Sequence, residues 1–394
     1  MVEGLLVNRI RLHPAEFDRV FYNIRNNLYK ISSGVFLIHI KPEAKLAIGR
    51  QNGDEASSMV REAPERRAYG LGVALSLLSV GPLLILVFLV VAIGLVTPNF
   101  FMPVNLGNIL SQTAVIAIVA MGQQLVILTR GVDLSVGSNL ALATVIGGLT
   151  FAHVHSAPLV ILAMLGTGGL VGAINGFVFV YGRLPHPFII TLATLSICRG
   201  LALELAPGHT TMRGMPEAIN ALGSNWTFGL PNSFYVVLGL ALLLLVLAKA
   251  MVAGRWIYAV GGAPEAAKNM GIPIKKVLVA TYIISGLCAG IGAIVLSGRT
   301  AAASPTYGNL LELDTIAAVI IGGASFLGGR GHLGHALIGA VLIGIIRNAL
   351  NLLGINVFWQ MVVIGAVIVI AVEADVLRNH LEARARVMQA GRMQ

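Results

Sequence analysis

The composition of the 394-residue chain excludes an ordinary soluble protein. Apolar residues make up 56% of the chain and charged residues only 11%, against about 25% charged residues in typical soluble domains. A water-soluble fold so poor in charge cannot cover its surface, so we expect an integral membrane protein in contact with lipid. The net charge of +10 is then explained by Lys and Arg in cytoplasmic loops, and no nucleic-acid partner is expected.

Charge is concentrated at the N-terminal end of the chain. Residues 1–70 hold 11 of the 27 Lys and Arg and 8 of the 17 Asp and Glu. We therefore predict a cytoplasmic extension over residues 1–70, a transmembrane domain over 71–378 and a cytoplasmic tail over 379–394. Residues 1–58 have neither a plausible core nor a strong apolar face, and Met59 begins a short basic leader before the first apolar run. Two interpretations stay open, a translation start at Met59, which we favour, or a regulatory or interfacial extension.

Apolar runs of about 20 residues, the length that crosses a bilayer, predict the fold. The prediction is an all-α polytopic membrane protein with about ten transmembrane helices, some of them broken or re-entrant. The runs lie at 74–96, 107–128, 134–152, 157–180, 187–206, 233–252, 276–297, 314–328, 333–352 and 357–377. The third and eighth are short and Gly-rich, and we expect both to be irregular and to lie beside a translocation path. The bias of Lys and Arg between alternate connections favours both termini in the cytoplasm (N-in/C-in).

The longest predicted cytoplasmic loop, residues 253–275, carries the most informative motif. Pro264 stands directly before the motif and Gly271 ends it, which is typical of a short helix of about two turns. The pattern EAAxxxG in such a loop resembles the coupling motif of ABC importer permeases, in which the loop helix docks in a groove of the ATPase. The resemblance implies ATPase coupling by Glu265, Ala266, Ala267 and Gly271.

Five longer strings extend this resemblance over about residues 70–378. They are GVDLSVGSNLALA (131–143), PHPFIITLATLSICRGLAL (185–203), YAVGGAPEAAKNMGIP (258–273), ASPTYGNLLELDTIAAVIIGGASFLGGRG (303–331) and NLLGINVFWQMVVIG (351–365). They resemble the ribose/xylose-type monosaccharide permeases, in the same broad group as the branched-chain amino-acid permeases. The resemblance implies a multi-pass subunit of the bacterial cytoplasmic (inner) membrane. Its implied partners are a second permease copy or a paralogue, cytoplasmic ATPase subunits and a periplasmic sugar-binding protein.

Polar residues within the apolar runs are costly, and they are our candidates for the translocation path. They are Gln123, Gln124, Asp133, Ser135, Asn139, Asn175, Thr191, Thr194, Arg199 and Asn348. Each is able to bind sugar hydroxyls or to link neighbouring helices, which is the commoner role. We interpret Asp133 mainly as a helix N-cap acting with Ser135. Arg199 is expected either to bond backbone carbonyls or to face the path.

The sequence offers no motif for a cofactor, a metal site or a catalytic centre. It holds no GxxxxGK[ST] pattern, so an ATPase subunit is expected to hydrolyse ATP and this chain is not expected to be an enzyme. Two alternatives stay open: an ion-coupled secondary transporter, and an ABC permease for a branched-chain amino acid or a nucleoside. The first is disfavoured because the acids of residues 71–380 fall at span ends or in loops, away from the usual place of an ion relay.

Overall fold

The computed structural model of the chain describes residues 86–390. The chain separates into two units, Met1–Pro64 and Glu65–Gln394, and all described residues belong to the second. The predictions for residues 1–70 and for the beginning of the first apolar run lie outside the described residues.

The described residues are mainly helical, as predicted. The helices are α1 (Leu86–Val96), α2 (Pro103–Leu128), α3 (Val136–Val154), α4 (Ala157–Tyr181), α5 (Phe188–Leu205), α6 (Glu217–Gly223), α7 (Asn232–Lys249), α8 (Val252–Gly262), α9 (Pro264–Asn269), α10 (Ile274–Thr300), α11 (Leu311–Ile321), α12 (Leu333–Leu352) and α13 (Val357–Ala390). A 3₁₀ turn, Pro207–His209, follows α5. Two antiparallel pairs complete the elements: β1 (Met212–Arg213) with β4 (Ala302–Ala303), and β2 (Trp226–Thr227) with β3 (Leu230–Pro231).

Seven of the described helices are long and apolar enough to cross a membrane, namely α2, α3, α4, α5, α7, α10 and α12. Two shorter apolar stretches, Leu86–Val96 and Val357–Glu373, flank them. Together with α11, these helices fall in the ten predicted runs, one in each. The predicted all-α polytopic fold is therefore confirmed, whereas its N-in/C-in orientation stays a prediction.

The eighth predicted span is broken, but the third is not. Helix α11 has 11 residues and ends before Gly322, after which residues 322–332 form turns with a positive φ at four glycines. Helix α3, in contrast, runs unbroken for 19 residues. The expectation of an irregular third span was wrong because its glycines serve close packing. A Cβ at Gly137, for example, would lie 2.3 Å from the carbonyl oxygen of Gly308.

The core lies around α2 and α10. From Thr113 to Leu128 every residue of α2 is buried. Helix α10 packs against α4 at backbone distance, since a Cβ at Gly168 would lie 2.4 Å from the carbonyl oxygen of Gly286 and one at Gly172 would lie 2.2 Å from that of Tyr282. Small residues at a helix interface allow this approach, which membrane helices use for van der Waals packing. Two of the polar residues described next, Asn175 and Ser285, lie on this tightly packed pair.

Candidate functional site

A non-helical segment, residues 301–310, leads into α11 and follows α3 for about half its length. Near its beginning, Ala303 faces Gly148, whose added Cβ would lie 2.9 Å from that of the alanine. Near its end, Gly308 faces Gly137. Those two contacts on α3 are about 16 Å apart along the helix axis, and the 11 residues of α11 add a similar length. We call residues 301–310 the irregular half. Residues 301–310 and α11 together match one bilayer crossing of about 30 Å. We call this whole segment, residues 301–321, the broken span, because it changes from irregular backbone to helix at Leu311.

Arg199 of α5 holds the irregular half in place. One of its guanidinium nitrogens, Nη1, donates to the carbonyl oxygen of Pro305 at 2.5 Å and to that of Tyr307 at 3.0 Å. Thr144 of α3 donates in addition to the carbonyl oxygen of Ser304 at 3.2 Å. Backbone that is not helical at membrane depth needs such partners, because no water there replaces them. Of the two roles considered for Arg199, the structure shows the bond to backbone carbonyls.

Four path candidates, Asp133, Ser135, Asn175 and Thr194, meet in one buried cluster. The Thr194 hydroxyl donates to Asn175 Oδ1 at 2.7 Å, Asn175 Nδ2 donates to the Ser135 hydroxyl at 2.8 Å, and that hydroxyl donates to Asp133 Oδ1 at 2.7 Å. Their exposed fractions do not exceed 5%. The cluster joins the connection between α2 and α3 to α4 and α5. Within the described residues, the cluster therefore links these helices.

Two further contacts bind the same cluster to α2 and α10. Ser285 of α10 donates to Asp133 Oδ2 at 3.1 Å. The Gln123 side-chain amide, oriented so that both its nitrogen and its oxygen are hydrogen-bonded, donates to the backbone C=O of Asp133 and accepts from its N–H, at 3.2 Å each. The sequence did not predict the role of Ser285, since 152 residues separate it from Asp133 and no pattern joins them. Ser135 takes the N-cap position of α3, and its side chain makes no capping hydrogen bond. The backbone N–H of Ser135 instead donates to Asp133 Oδ1 at 3.0 Å, so Asp133 acts with Ser135 just before the helix begins.

The remaining path candidates are also buried or bonded to neighbours. Asn348 exchanges two hydrogen bonds with Asn105 of α2, at 3.1 and 2.8 Å. Asn139 donates to a carbonyl of α4 at 3.2 Å. The Thr191 hydroxyl lies within hydrogen-bond distance of two carbonyls at the start of its own helix and of the Val132 carbonyl before α3. The side-chain amide of Gln124 is buried and has no partner among residues 86–390.

A cavity of about 200 Å³ lies where α2, α10 and α12 meet the broken span. Its polar lining consists of Gln112, Arg299, Asn309, Asp314 and Arg347. Arg347 Nη2 lies 2.6 Å from Asp314 Oδ2 in an ion pair. The aspartate side chain is only 5% exposed, because α11 starts inside the fold. Asp314 and Asp133 are therefore both buried carboxylates, although the sequence places both near the ends of predicted spans.

The loop that carries the EAAxxxG motif, residues 253–275, has the predicted helix; we keep the name coupling loop for it because of the resemblance stated above. Helix α9 begins with Pro264 and has six residues, and Gly271 after it has a φ of 76°. Its Ala267 is buried, whereas Glu265, Ala266 and Gly271 are exposed. Among the described residues, nothing covers these three exposed residues of the motif, so another protein is able to contact them.

A junction of three loops ties α8, which precedes this helix, to the broken span. Arg130, after α2, donates to the carbonyl oxygens of Gly261 and Gly262 at 2.6 and 3.0 Å. The N–H of Gly329 donates to the carbonyl oxygen of Leu128 at 2.9 Å, and the Tyr258 hydroxyl donates to a further carbonyl of the glycine-rich turns, residues 322–332. These turns follow α11 directly. Hydrogen bonds therefore connect α8, and α2, to the turns that follow the broken span.

Comparison with known proteins finds relatives over most of the chain. A family model described as a branched-chain amino acid transport system permease component matches residues 105–372. The ribose import permease protein of Bacillus subtilis is 39% identical over 298 residues, which cover 75% of this chain and 92% of that protein. The D-allose transport system permease protein of Escherichia coli is 37% identical over 320 residues, or 80% and 96% of the two chains. A fructose import permease protein of Rhizobium meliloti is 37% identical over 304 residues, or 75% and 84%. No solved structure matches significantly.

Proposed function

We propose that this chain, which belongs to the family of branched-chain amino acid transport system permease components, carries a ribose- or xylose-like monosaccharide across the bacterial inner membrane. The chain is a multi-pass permease subunit of an ABC sugar importer, and ATP hydrolysis is the task of a separate ATPase subunit. The observation that carries the choice of cargo is the similarity, over three quarters of the chain, to permeases named for ribose, D-allose and fructose. A periplasmic binding protein delivers the sugar.

The proposed assembly contains a second permease copy, beside the ATPase and the binding protein. Helices α4, α5 and α7 expose large apolar side chains, such as Leu162, Ile197 and Leu243, which are 65%, 56% and 63% exposed. Apolar surface of this kind is covered by lipid or by another membrane helix. The path then lies at the face where the two copies meet, or within each copy beside the broken span.

In the proposed mechanism, α9 docks on the ATPase and the junction passes its movement to the broken span. The exposed Glu265, Ala266 and Gly271 supply the docking surface. The Tyr258 hydroxyl and the backbone of Gly329 connect the coupling loop and α2 to the turns after α11. An irregular backbone changes its shape at a lower free-energy cost than a complete helix, since fewer helical hydrogen bonds break. The broken span is therefore the element that opens and closes the path.

Proteoliposomes that contain the permease, its ATPase and its binding protein test the proposal. ATP inside the vesicles should drive accumulation of radiolabelled ribose or xylose, and an ATPase variant that cannot hydrolyse ATP should abolish it. A proton ionophore should leave the uptake unchanged, which separates this mechanism from ion coupling. Accumulation of leucine or of a nucleoside, without any sugar, would overturn the proposed cargo.

A further inference from the structure

We propose that the cavity between α2, α10, α12 and the broken span is a sugar-binding site on the path, with the Asp314–Arg347 pair as its polar anchor. The inference rests on the proposed function, because it assigns that function's cargo to one place in the chain. The cluster around Asp133, in contrast, has its polar groups bonded to one another.

The ion pair has hydrogen-bonding capacity left over. One carboxylate oxygen, Asp314 Oδ2, takes the bond from Arg347 Nη2, whereas Asp314 Oδ1 and Arg347 Nε are buried and have no partner among the described residues. Buried polar atoms without partners are costly, and the cost is greater for charged groups. Both atoms are covered by their neighbours, so a ligand that donates one hydrogen bond and accepts another satisfies them once a side-chain shift opens them to the cavity. Adjacent hydroxyls of a sugar do this without adding charge.

The size and the lining of the cavity suit one small ring. A volume of about 200 Å³ equals the liquid volume of about six or seven water molecules, and is below the range of about 300–1,000 Å³ that is usual for drug-sized ligands. Gln112 and Asn309 add amides able to donate and accept, and Val115 and Leu311 add apolar surface. A sugar presents hydroxyls at its rim and C–H groups on its faces, so it uses both kinds of contact.

The position of the cavity connects binding with movement. Gln112 is about 14 Å along the axis from the first residue of α2, near half the depth of a bilayer. Asn309 belongs to the irregular half, and Asp314 to the first turn of α11. The ligand therefore contacts the broken span both in its irregular half and in its helical half. A shift of α11 against α12 would separate Asp314 from Arg347 and release the sugar.

The test uses the assembled complex and three variants in the cavity. Val115→Phe fills the cavity and leaves the ion pair intact, Gln112→Leu removes an amide at similar size, and Asp314→Asn removes the charge. Leu313→Phe is the matched control, because this neighbouring residue of α11 is 38% exposed and does not line the cavity. Saturation-transfer NMR with D-ribose, D-allose and D-fructose, without the binding protein, reports contact with the sugar. Uptake is measured in parallel, and size exclusion together with thermal unfolding confirms that each complex assembles.

We expect the NMR signal of the transported sugar to disappear in the Val115→Phe and Asp314→Asn complexes and to persist with Leu313→Phe. Uptake should fall at least tenfold in those two variants and more modestly in Gln112→Leu. If the wild type imports sugar and assembled Val115→Phe and Gln112→Leu complexes bind and import it equally well, this site is wrong while the proposed function stands. If the wild type neither imports nor contacts any of the sugars, both fail.

Discussion

Tyr258 of α8 donates a hydrogen bond of 2.9 Å from its hydroxyl to the backbone carbonyl of Gly331. The bond joins the helix before the coupling helix to the turns after the broken span, 73 residues further along the chain. It is the side-chain contact through which we expect movement of the coupling loop to reach α11.

Replacement of Tyr258 by Phe should weaken the coupling of ATP hydrolysis to transport. The change removes one hydrogen bond, worth about 0.5–1.5 kcal/mol net, and leaves the ring in place. We expect sugar uptake per ATP hydrolysed to fall about two- to tenfold while the protein still inserts in the membrane. The control is Tyr235→Phe, which removes an equivalent bond of 2.9 Å, to the carbonyl of Thr227. Equal coupling ratios in the two variants would contradict the role of Tyr258.

Gly271→Leu should uncouple transport from the ATPase. The residue is exposed with a φ of 76°, where a side chain strains the backbone by about 1–2 kcal/mol and projects from the proposed docking surface. We expect weaker co-purification with the ATPase and loss of most uptake. Gly229→Leu places the same side chain at another exposed glycine, with a φ of 78°, in a loop on the other predicted side of the membrane. Should Gly271→Leu bind the ATPase and transport like this control, the docking assignment is wrong.

Arg199→Met should lower the stability of the purified permease. The variant leaves the carbonyls of Pro305 and Tyr307 without their donor, and each buried group left unsatisfied costs about 1–3 kcal/mol. Thermal unfolding in detergent should shift down by several degrees, and Arg199→Lys should recover part of the loss because the ammonium still donates. Arg213→Met, at an exposed position, is the control for loss of charge. An unchanged melting temperature for Arg199→Met would show that the irregular half does not need this residue.

Acidification should destabilise the permease through His332. Its Nδ1 accepts a hydrogen bond from the N–H of Gly334 at 3.2 Å, at the start of α12. Burial lowers the pKa of His332, and the charges of Lys249 and His335 lower it further. The folded state thus binds the proton less tightly than the unfolded state, so stability is complete above about pH 6.5 and is lost as the pH falls from there through the lowered pKa.

Melting temperatures of wild type and His332→Asn, measured between about pH 5 and 8, test this effect. Asparagine retains a side-chain acceptor at the N-cap but does not titrate, so the variant should lose part of the decline below pH 6.5. The control, His186→Asn, changes a histidine whose Nδ1 accepts a comparable bond of 3.2 Å from the N–H of Phe188. An identical pH profile for wild type and His332→Asn would exclude His332 as the cause.

The sequence by itself determined the features that depend on local pattern. Apolar runs of sufficient length located the helices, since a membrane segment must satisfy its backbone hydrogen bonds within itself. Pro264 and Gly271 delimited α9 because their restricted and permissive backbones act within a single turn. The glycines of residues 322–328 likewise interrupted the eighth predicted run, because α11 ends at Ile321.

Tertiary structure decided what those local patterns left open. The glycines of the third run predicted a break, yet α3 is continuous. The irregular half packs into the space that the missing side chains of Gly137 and Gly148 leave beside the helix. The burial of Asp314 could not be read from its position near a span end, since it depends on where α11 begins within the fold. Its partner, Arg347, lies 33 residues away on α12. Such pairings depend on which helices become neighbours, and that choice follows from the packing of the whole bundle.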